Sequence, residues 1–176
     1  MPQITVIIPV YNAEQYLEEC LESIVSQSFC DWVCICVNDG STDSSAEILE
    51  AYASKDKRII VLNQNNSGPS IARSKGLECA TGRYILFQDA DDFIEGHAYA
   101  QLVELMEKTQ VDVLGFSYET CPDRQLSRFS MKCGEVLPPT ALLKSTKKPQ
   151  ASDDFSFIWR YMIRRSFLLE YPVSFD

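Results

Sequence analysis

The sequence contains no apolar run approaching the ~20 residues that a membrane-spanning helix requires, so any contact with a bilayer is peripheral or supplied by another segment. It is poor in positive charge: 16 Lys and Arg face 25 Asp and Glu, a formal charge of −9. That is the wrong sign for holding nucleic acid through its phosphates, and it also disfavours an anionic membrane surface. No basic and then apolar leader follows Met1-Pro2-Gln3-Ile4, and the seven cysteines are an odd set without a Cys-x-x-Cys pair, which predicts free thiols in a reducing cytosol. Gly-x-Gly-x-x-Gly is missing after the first apolar run, and Gly-x-x-x-x-Gly-Lys-Ser/Thr is missing everywhere. Dinucleotide dehydrogenases and P-loop nucleotidases therefore lose their main support.

What remains is a 176-residue chain, 45% hydrophobic and 23% charged, of the size and mix of one globular domain, with no long linker and no internal repeat. Its acidity is uneven. Up to Gly96 there are six Lys and Arg against 15 Asp and Glu, whereas from His97 onward ten face ten. Short β-branched runs at Ile4–Val10, Trp32–Val37, Arg58–Leu62, Arg83–Phe87 and Val111–Phe116 predict buried strands. Cys34 and Cys36, two apart in one of these runs, share a face and read as small apolar residues.

Between the strands lie helical patterns. Leu17, Cys20, Leu21, Ile24 and Val25 share one helix face, with Asn12 and Gln15 as a capping box; Ser44 and Glu47 repeat the box before Ile48, Leu49 and Tyr52. A third helix is predicted from Gly68-Pro69 to before Gly82. Regular alternation of strand and helix predicts an α/β fold, a mostly parallel sheet with right-handed crossovers and helices on both faces. After Gly115 the pattern loosens: a hairpin within Arg124–Leu137, a short helix near Ala141–Lys144, and a helix over Ser156–Leu169 with Asp153 or Asp154 near its start.

Ligands of such sheets bind beyond the carboxyl ends of the strands. Four of these exits carry polar clusters: Pro9-Val10-Tyr11-Asn12, Asn38 to Asp43, Asn66-Ser67-Gly68, and Asp89-Ala90-Asp91-Asp92. The last groups three carboxylates that repel one another and suit a hard divalent cation that keeps positions open for phosphates and water. At Gly68-Pro69 a helix N-terminus, with Arg73 about one turn inside, favours an anion. The lone histidine, His97, reads as a solvated helix start.

These clusters, with Asn66 through Gly76, resemble in order and spacing the motif series of family 2 glycosyltransferases, metal-dependent and usually inverting enzymes of the GT-A fold. The resemblance covers Ile4 to Gly96 and continues more weakly to Trp159 and Ile163-Arg164-Arg165-Ser166; Ser74 departs from the family's usual Asn. It implies a nucleotide-sugar site built from Pro9, Val10, Tyr11, Asn12, Asp39, Gly68, Arg73, Asp89, Ala90 and Asp91. In it Asp39 accepts a hydrogen bond from the base, usually uracil, and Arg73 lies beside the nucleotide. Asp89 faces the ribose, and Asp91, with Asp89 as a second candidate, binds Mg²⁺ or Mn²⁺. The implied donor is a UDP-sugar and the acceptor a glycan or a lipid-linked molecule.

Residues 1–96 would then form the nucleotide-sugar-binding half of a single domain and 97–176 the start of its acceptor side. An inverting transfer needs a general base, normally a carboxylate. In the family that residue follows the segment resembled by Trp159 to Phe175, so the base is expected beyond Asp176; Asp153 and Asp154 read as helix caps. A non-catalytic nucleotide-sugar-binding or assembly module is the alternative reading. A cytidylyl- or uridylyltransferase would want a Gly-rich basic loop after the first strand, which Pro9 to Asn12 do not supply. Lys144, Lys147, Lys148, Arg160, Arg164 and Arg165 outnumber the nearby acids. They read as a solvated face, with peripheral contact at the cytoplasmic side of a membrane as the second reading.

Overall fold

A computed structural model describes residues 1–116, 119–121, 126–128 and 158–172. Eight strands and five helices are assigned among them, and a six-stranded sheet forms their centre. The alternating half follows the expected order: β1 (Ile4–Val10), α1 (Leu17–Val25), β2 (Trp32–Asn38), α2 (Ser45–Lys55), β3 (Ile59–Asn63), α3 (Pro69–Glu78) and β4 (Tyr84–Phe87), although β3, at the sheet edge, exposes Ile60 and is not the buried strand expected. Then come α4 (Ala98–Thr109), β5 (Val113–Gly115), the small antiparallel pair β6 (Glu119–Cys121) and β7 (Leu126–Arg128), a 3-10 turn at Ile158–Arg160, β8 (Tyr161–Arg164) and α5 (Arg165–Glu170).

The sheet order is β3-β2-β1-β4-β8-β5. The first four strands are mutually parallel, and β8 runs antiparallel to both β4 and β5. Chain order reverses at β1, with β2 and β3 on one side and β4 on the other, which opens a crevice at the carboxyl ends of β1 and β4.

Period-two alternation sorts the strand side chains into two cores. Ile4, Val6, Ile8 and Val10 of β1 join Cys34, Cys36 and Leu86 beneath Leu17, Cys20, Leu21 and Ile24 of α1, Leu49 of α2, and Tyr99, Leu102 and Met106 of α4. On the opposite face Ile7, Ile85, Phe87 and Ile163 pack with Phe167 and Leu168 of α5, while Ile35 and Val37 meet Ala72 of α3. α3 comes close to the sheet because of Gly76: a Cβ there would lie 2.4 Å from Ile7 Cγ2. Cys34 and Cys36 are both buried free thiols with sulfurs 3.6 Å apart, and the hydrogen bond between them, then burial, pushes the Cys34 thiol well up.

Several expectations are corrected. Neither capping box forms: no side chain caps α1, which starts after Tyr16, or α2, which starts after Ser44. Asn12 and Ser44 instead find partners some 30 residues away, which local spacing does not register. The helix expected over Ser156–Leu169 is a 3-10 turn, a strand and only then a helix. Tyr161, Met162 and Ile163 are buried because the open edges of β4 and β5 accept them as a strand, a tertiary preference that overrides the local one. The strand expected at Val111–Phe116 is shorter, Val113–Gly115, and the paired strands β6 and β7 lie within 119–128. The remainder of the expected hairpin, the Ala141–Lys144 helix, Asp153, Asp154 and Asp176 lie outside the described residues, as does the side chain of Trp159. His97 does stand at the start of α4, with Nδ1 3.0 Å from Ser28 Oγ. Among the described residues no helix is long and apolar enough to cross a membrane.

Candidate functional site

The loops after β1, β2, β3 and β4 enclose a cleft of about 490 Å³. All ten residues singled out from the sequence line it: Pro9, Val10, Tyr11 and Asn12 from the β1 exit, Asp39 from β2, Gly68 and Arg73 at the start of α3, and Asp89, Ala90 and Asp91 from β4. Ala13, Tyr16, Asn66 and Pro69 complete the wall. Of these, Tyr16 was missed outright. Its signal is an aromatic residue four positions after Asn12, just ahead of α1, and both it and Tyr11 are exposed, at 40% and 50%.

Asp39 is only 2% exposed, yet its carboxylate is well supplied with donors. Gln64 Nε2 and the Ser67 N–H donate to Oδ1 at 2.7 and 2.8 Å, and the Gly68 N–H donates to Oδ2 at 2.8 Å. A carboxylate has about four acceptor sites, so one, on Oδ2, stays open. This clamp also fixes the turn into α3, where Gly68 takes φ +90°, a left-handed value that glycine adopts at little cost, and Pro69 occupies the first helical position.

The β1 and β2 exits are laced together. Thr42 N–H donates to Asn12 Oδ1 at 2.8 Å and Asn12 N–H to Ser41 Oγ at 3.2 Å; Glu14 N–H donates to Asp43 Oδ2 at 3.0 Å and Ser44 N–H to Glu14 Oε2 at 2.9 Å. Asn12 itself sits at φ +50°, which Asn tolerates better than most residues. Burial alone would raise the Asp43 carboxyl, but the hydrogen bonds from Ser45 and from the Glu14 N–H outweigh it and hold it below the usual carboxylate range.

On the far wall Arg73 Nη2 meets Asp89 Oδ1 at 2.6 Å, both side chains being half-buried. Arg73 Nε is also buried and has no hydrogen-bond acceptor among the described residues, so the guanidinium keeps a donor unspent beside the cleft. Asp91 is exposed, and no hydrogen bond or ion pair engages its carboxylate among the described residues. Asp92, the third acid of the cluster, is turned inward at 8% exposure, which relieves the crowding anticipated from the sequence.

Among the described residues no three His, Cys, Asp or Glu side chains gather into a metal cage. The free Asp91 carboxylate and the second oxygen of Asp89 are nonetheless hard oxygen donors at the mouth of a polar cleft. Such a set fits a Mg²⁺- or Mn²⁺-type ion that draws most of its coordination from phosphate and water, and does not fit an all-protein site.

The chain is 34% identical to the uncharacterized glycosyltransferase EpsJ of Bacillus subtilis over 178 residues, covering 100% of this chain and 52% of that protein. It is 39% identical to the poly(ribitol-phosphate) beta-glucosyltransferase of Bacillus spizizenii over 115 residues, 63% of this chain and 18% of that protein. The crystal structure of S. aureus TarS 1–349 in complex with UDP superposes with a TM-score of 0.77 at 26% identity, over 99% of this chain and 50% of that one. The same protein in complex with UDP-GlcNAc gives 0.77 at 25% identity, over 99% of this chain and 48% of that one. This chain thus spans about half the length of EpsJ and of TarS 1–349. The fold is GT-A, and with the model of glycosyl transferase family 2 matching residues 5–169, the chain belongs to that family.

Proposed function

We propose that the cleft binds a nucleoside-diphosphate sugar, a UDP-sugar by preference, and that the chain supplies the donor side of a metal-assisted glycosyl transfer. The observation that carries this reading is the meeting of Asp39, Arg73, Asp89 and Asp91 in one cleft at the carboxyl rim of the sheet. The open acceptor site on Asp39 suits an N–H of the base, such as the imide of uracil. Tyr11 and Tyr16 offer exposed rings nearby, and the complexes of TarS with UDP and UDP-GlcNAc support the same nucleotide. The positive guanidinium of Arg73 on the cleft wall and the N-terminus of α3 favour the diphosphate.

Asp91, with Asp89 beside it, would hold the divalent ion. When bound, that ion supplies Lewis-acid stabilisation of the negative charge that builds on the departing diphosphate. The charge of the chain supports this requirement: the acids up to Gly96 outnumber the bases by nine, and an acidic region holds an anionic donor well only with a cation between them. Arg73 and Asp89 restrain each other, which keeps the guanidinium aimed along the cleft wall before donor arrives. The transfer is read as inverting because the motif series resembles that of usually inverting enzymes, and a relative named for poly(ribitol-phosphate) supports a polymer hydroxyl as acceptor. No described carboxylate is assigned as the base that takes the acceptor's proton.

The test is calorimetric titration of UDP, UDP-GlcNAc and GDP with and without Mn²⁺, into the chain and into Asp91→Asn. UDP should bind more tightly than GDP, Mn²⁺ should tighten it, and Asp91→Asn should lose the Mn²⁺ effect. Equal affinity in the two proteins would sink the metal assignment, and absence of UDP binding would sink the donor reading.

A further inference from the structure

Among the described residues Asp91 has no anchor of its own, so the place of its carboxylate is inherited from the backbone of residues 89–92. That backbone is held from beneath, by groups outside the cleft. Cys20 and Ser23 of α1, with Gln27 two residues past its end, are spaced three and four apart, and all three reach the segment that follows β4. Cys20 Sγ lies 3.6 Å from Asp89 O, Ser23 Oγ accepts from Ile94 N–H at 3.2 Å, and Gln27 donates to Glu95 O at 2.6 Å and accepts from Tyr99 N–H at 3.2 Å. Burial pushes the Cys20 thiol well up, so it keeps its proton for the Asp89 carbonyl.

Gln88 completes this ladder. It is the last residue before the acidic loop and is 1% exposed. Its Nε2 donates to Asp92 O at 3.2 Å and to Cys20 Sγ at 3.3 Å, while Asp92 N–H closes the turn onto Asp89 O at 3.1 Å. Its Oε1 is buried without a partner among the described residues. A half-satisfied buried amide is a costly occupant where an apolar side chain would fill the same space. What it provides in return is one donor to the turn that carries Asp91 and one to Cys20, which itself meets the Asp89 carbonyl of that turn.

We propose that Gln88 is a positioning residue: its amide, seated on Cys20, clamps the Asp92 carbonyl and so sets where the Asp91 carboxylate stands in the cleft. The proposal rests on the reading above that the cleft takes a metal and a nucleoside diphosphate. By joining the acidic loop to α1, whose leading loop carries Tyr11 and Asn12, the clamp also fixes the separation of the two cleft walls.

Gln88→Met keeps the length of the side chain and removes both donors; Gln88→Asn keeps the amide but draws it back by one methylene. Without ligand, hydrogen exchange at the Asp92 amide should quicken by up to about tenfold in Gln88→Met, the scale of one lost hydrogen bond. UDP affinity in the presence of Mn²⁺ should fall by about tenfold or more, as for other residues that support a metal ligand from behind, with metal-free UDP affinity within about twofold of wild type. Gln88→Asn should fall between, and it carries both measurements if Gln88→Met fails to fold. Wild-type exchange at Asp92 in the variants overturns the clamp. Equal loss of UDP affinity with and without Mn²⁺, accompanied by a lower Tm, makes the role merely structural and overturns the proposal. If wild-type binding ignores Mn²⁺, the metal reading falls while the exchange measurement still decides for or against the clamp.

Discussion

Asp39→Asn isolates the contribution of a single buried charge at the cleft. In the native chain its two oxygens receive three hydrogen bonds, and at 2% exposure water cannot replace them. Asparagine keeps one oxygen and offers an NH2 in place of the other. If the NH2 faces Gln64 and Ser67, Gln64 can turn its own amide round, but the Ser67 N–H cannot reverse and loses its acceptor. If the NH2 takes the other side, the Gly68 N–H is left facing a donor. Either rotamer strands one backbone N–H and forfeits the ionic character of the remaining bonds. A hydrogen bond to a charged group contributes about 1.5–3 kcal/mol and a stranded buried donor costs about 1–3 kcal/mol, overlapping descriptions of the same loss, so the net expectation is about 2–3 kcal/mol. For a chain of this size that lowers Tm by about 4–12 °C. Urea unfolding followed by circular dichroism reads the stability, and calorimetry reads UDP affinity, which should fall as the turn at Gly68 relaxes. A loss of stability below about 0.5 kcal/mol would refute the clamp, since it would mean that the three donors find other acceptors.

Gly76→Ala should cost about 1–3 kcal/mol in urea unfolding, because its Cβ would stand 2.4 Å from a methyl of the stiff, fully buried Ile7; a neutral result would mean that α3 is free to lift from the sheet. At Asn12, alanine should be worse than glycine by about 1 kcal/mol in stability, since both lose the bonds from Thr42 but only alanine is strained at φ +50°. The Arg58 side chain donates to the Asp56 carboxylate and, against a smaller effect of burial, holds it below its ordinary value. A carboxyl whose folded-state pKa is lowered stabilises the fold above its unfolded pKa, and loses that contribution as pH falls through the folded value. Asp56→Asn should therefore flatten the decline of urea midpoint below about pH 4, by less than about 1 kcal/mol for a half-buried pair at the surface; an unchanged slope would dismiss the pair.

The parallel half of the fold was legible because β1, β2 and β4 are buried apolar runs, β3 is a short β-branched run, α1 and α2 repeat apolar residues at helical spacing, and Gly68-Pro69 marks the start of α3. The ten cleft residues were legible because they cluster at strand exits in an order that a known family shares. Where reading failed, the deciding partner was distant. Asn12 and Ser44 look like helix caps to their neighbours in sequence, yet Thr42 and Glu14 take their hydrogen bonds. Residues 161–164 carry a pattern compatible with a helix and become a strand because β4 and β5 leave a gap between them. Gln88 carries no signal at all: a glutamine after four apolar residues gives no hint that it faces Cys20.

The gap filled by β8 has a consequence for how the chain is made. β4 ends at Phe87, and its antiparallel neighbour ends at Arg164. At roughly 5–20 residues per second of synthesis, about 4–15 s separate the emergence of the two. Throughout that interval the nascent chain presents Tyr84 to Phe87 as an open, fully apolar strand edge, the kind of surface to which another strand can add. The strand that leads directly into the acidic loop thus waits for β8 to cover it, whereas the outer edge of β3 stays open in the finished sheet.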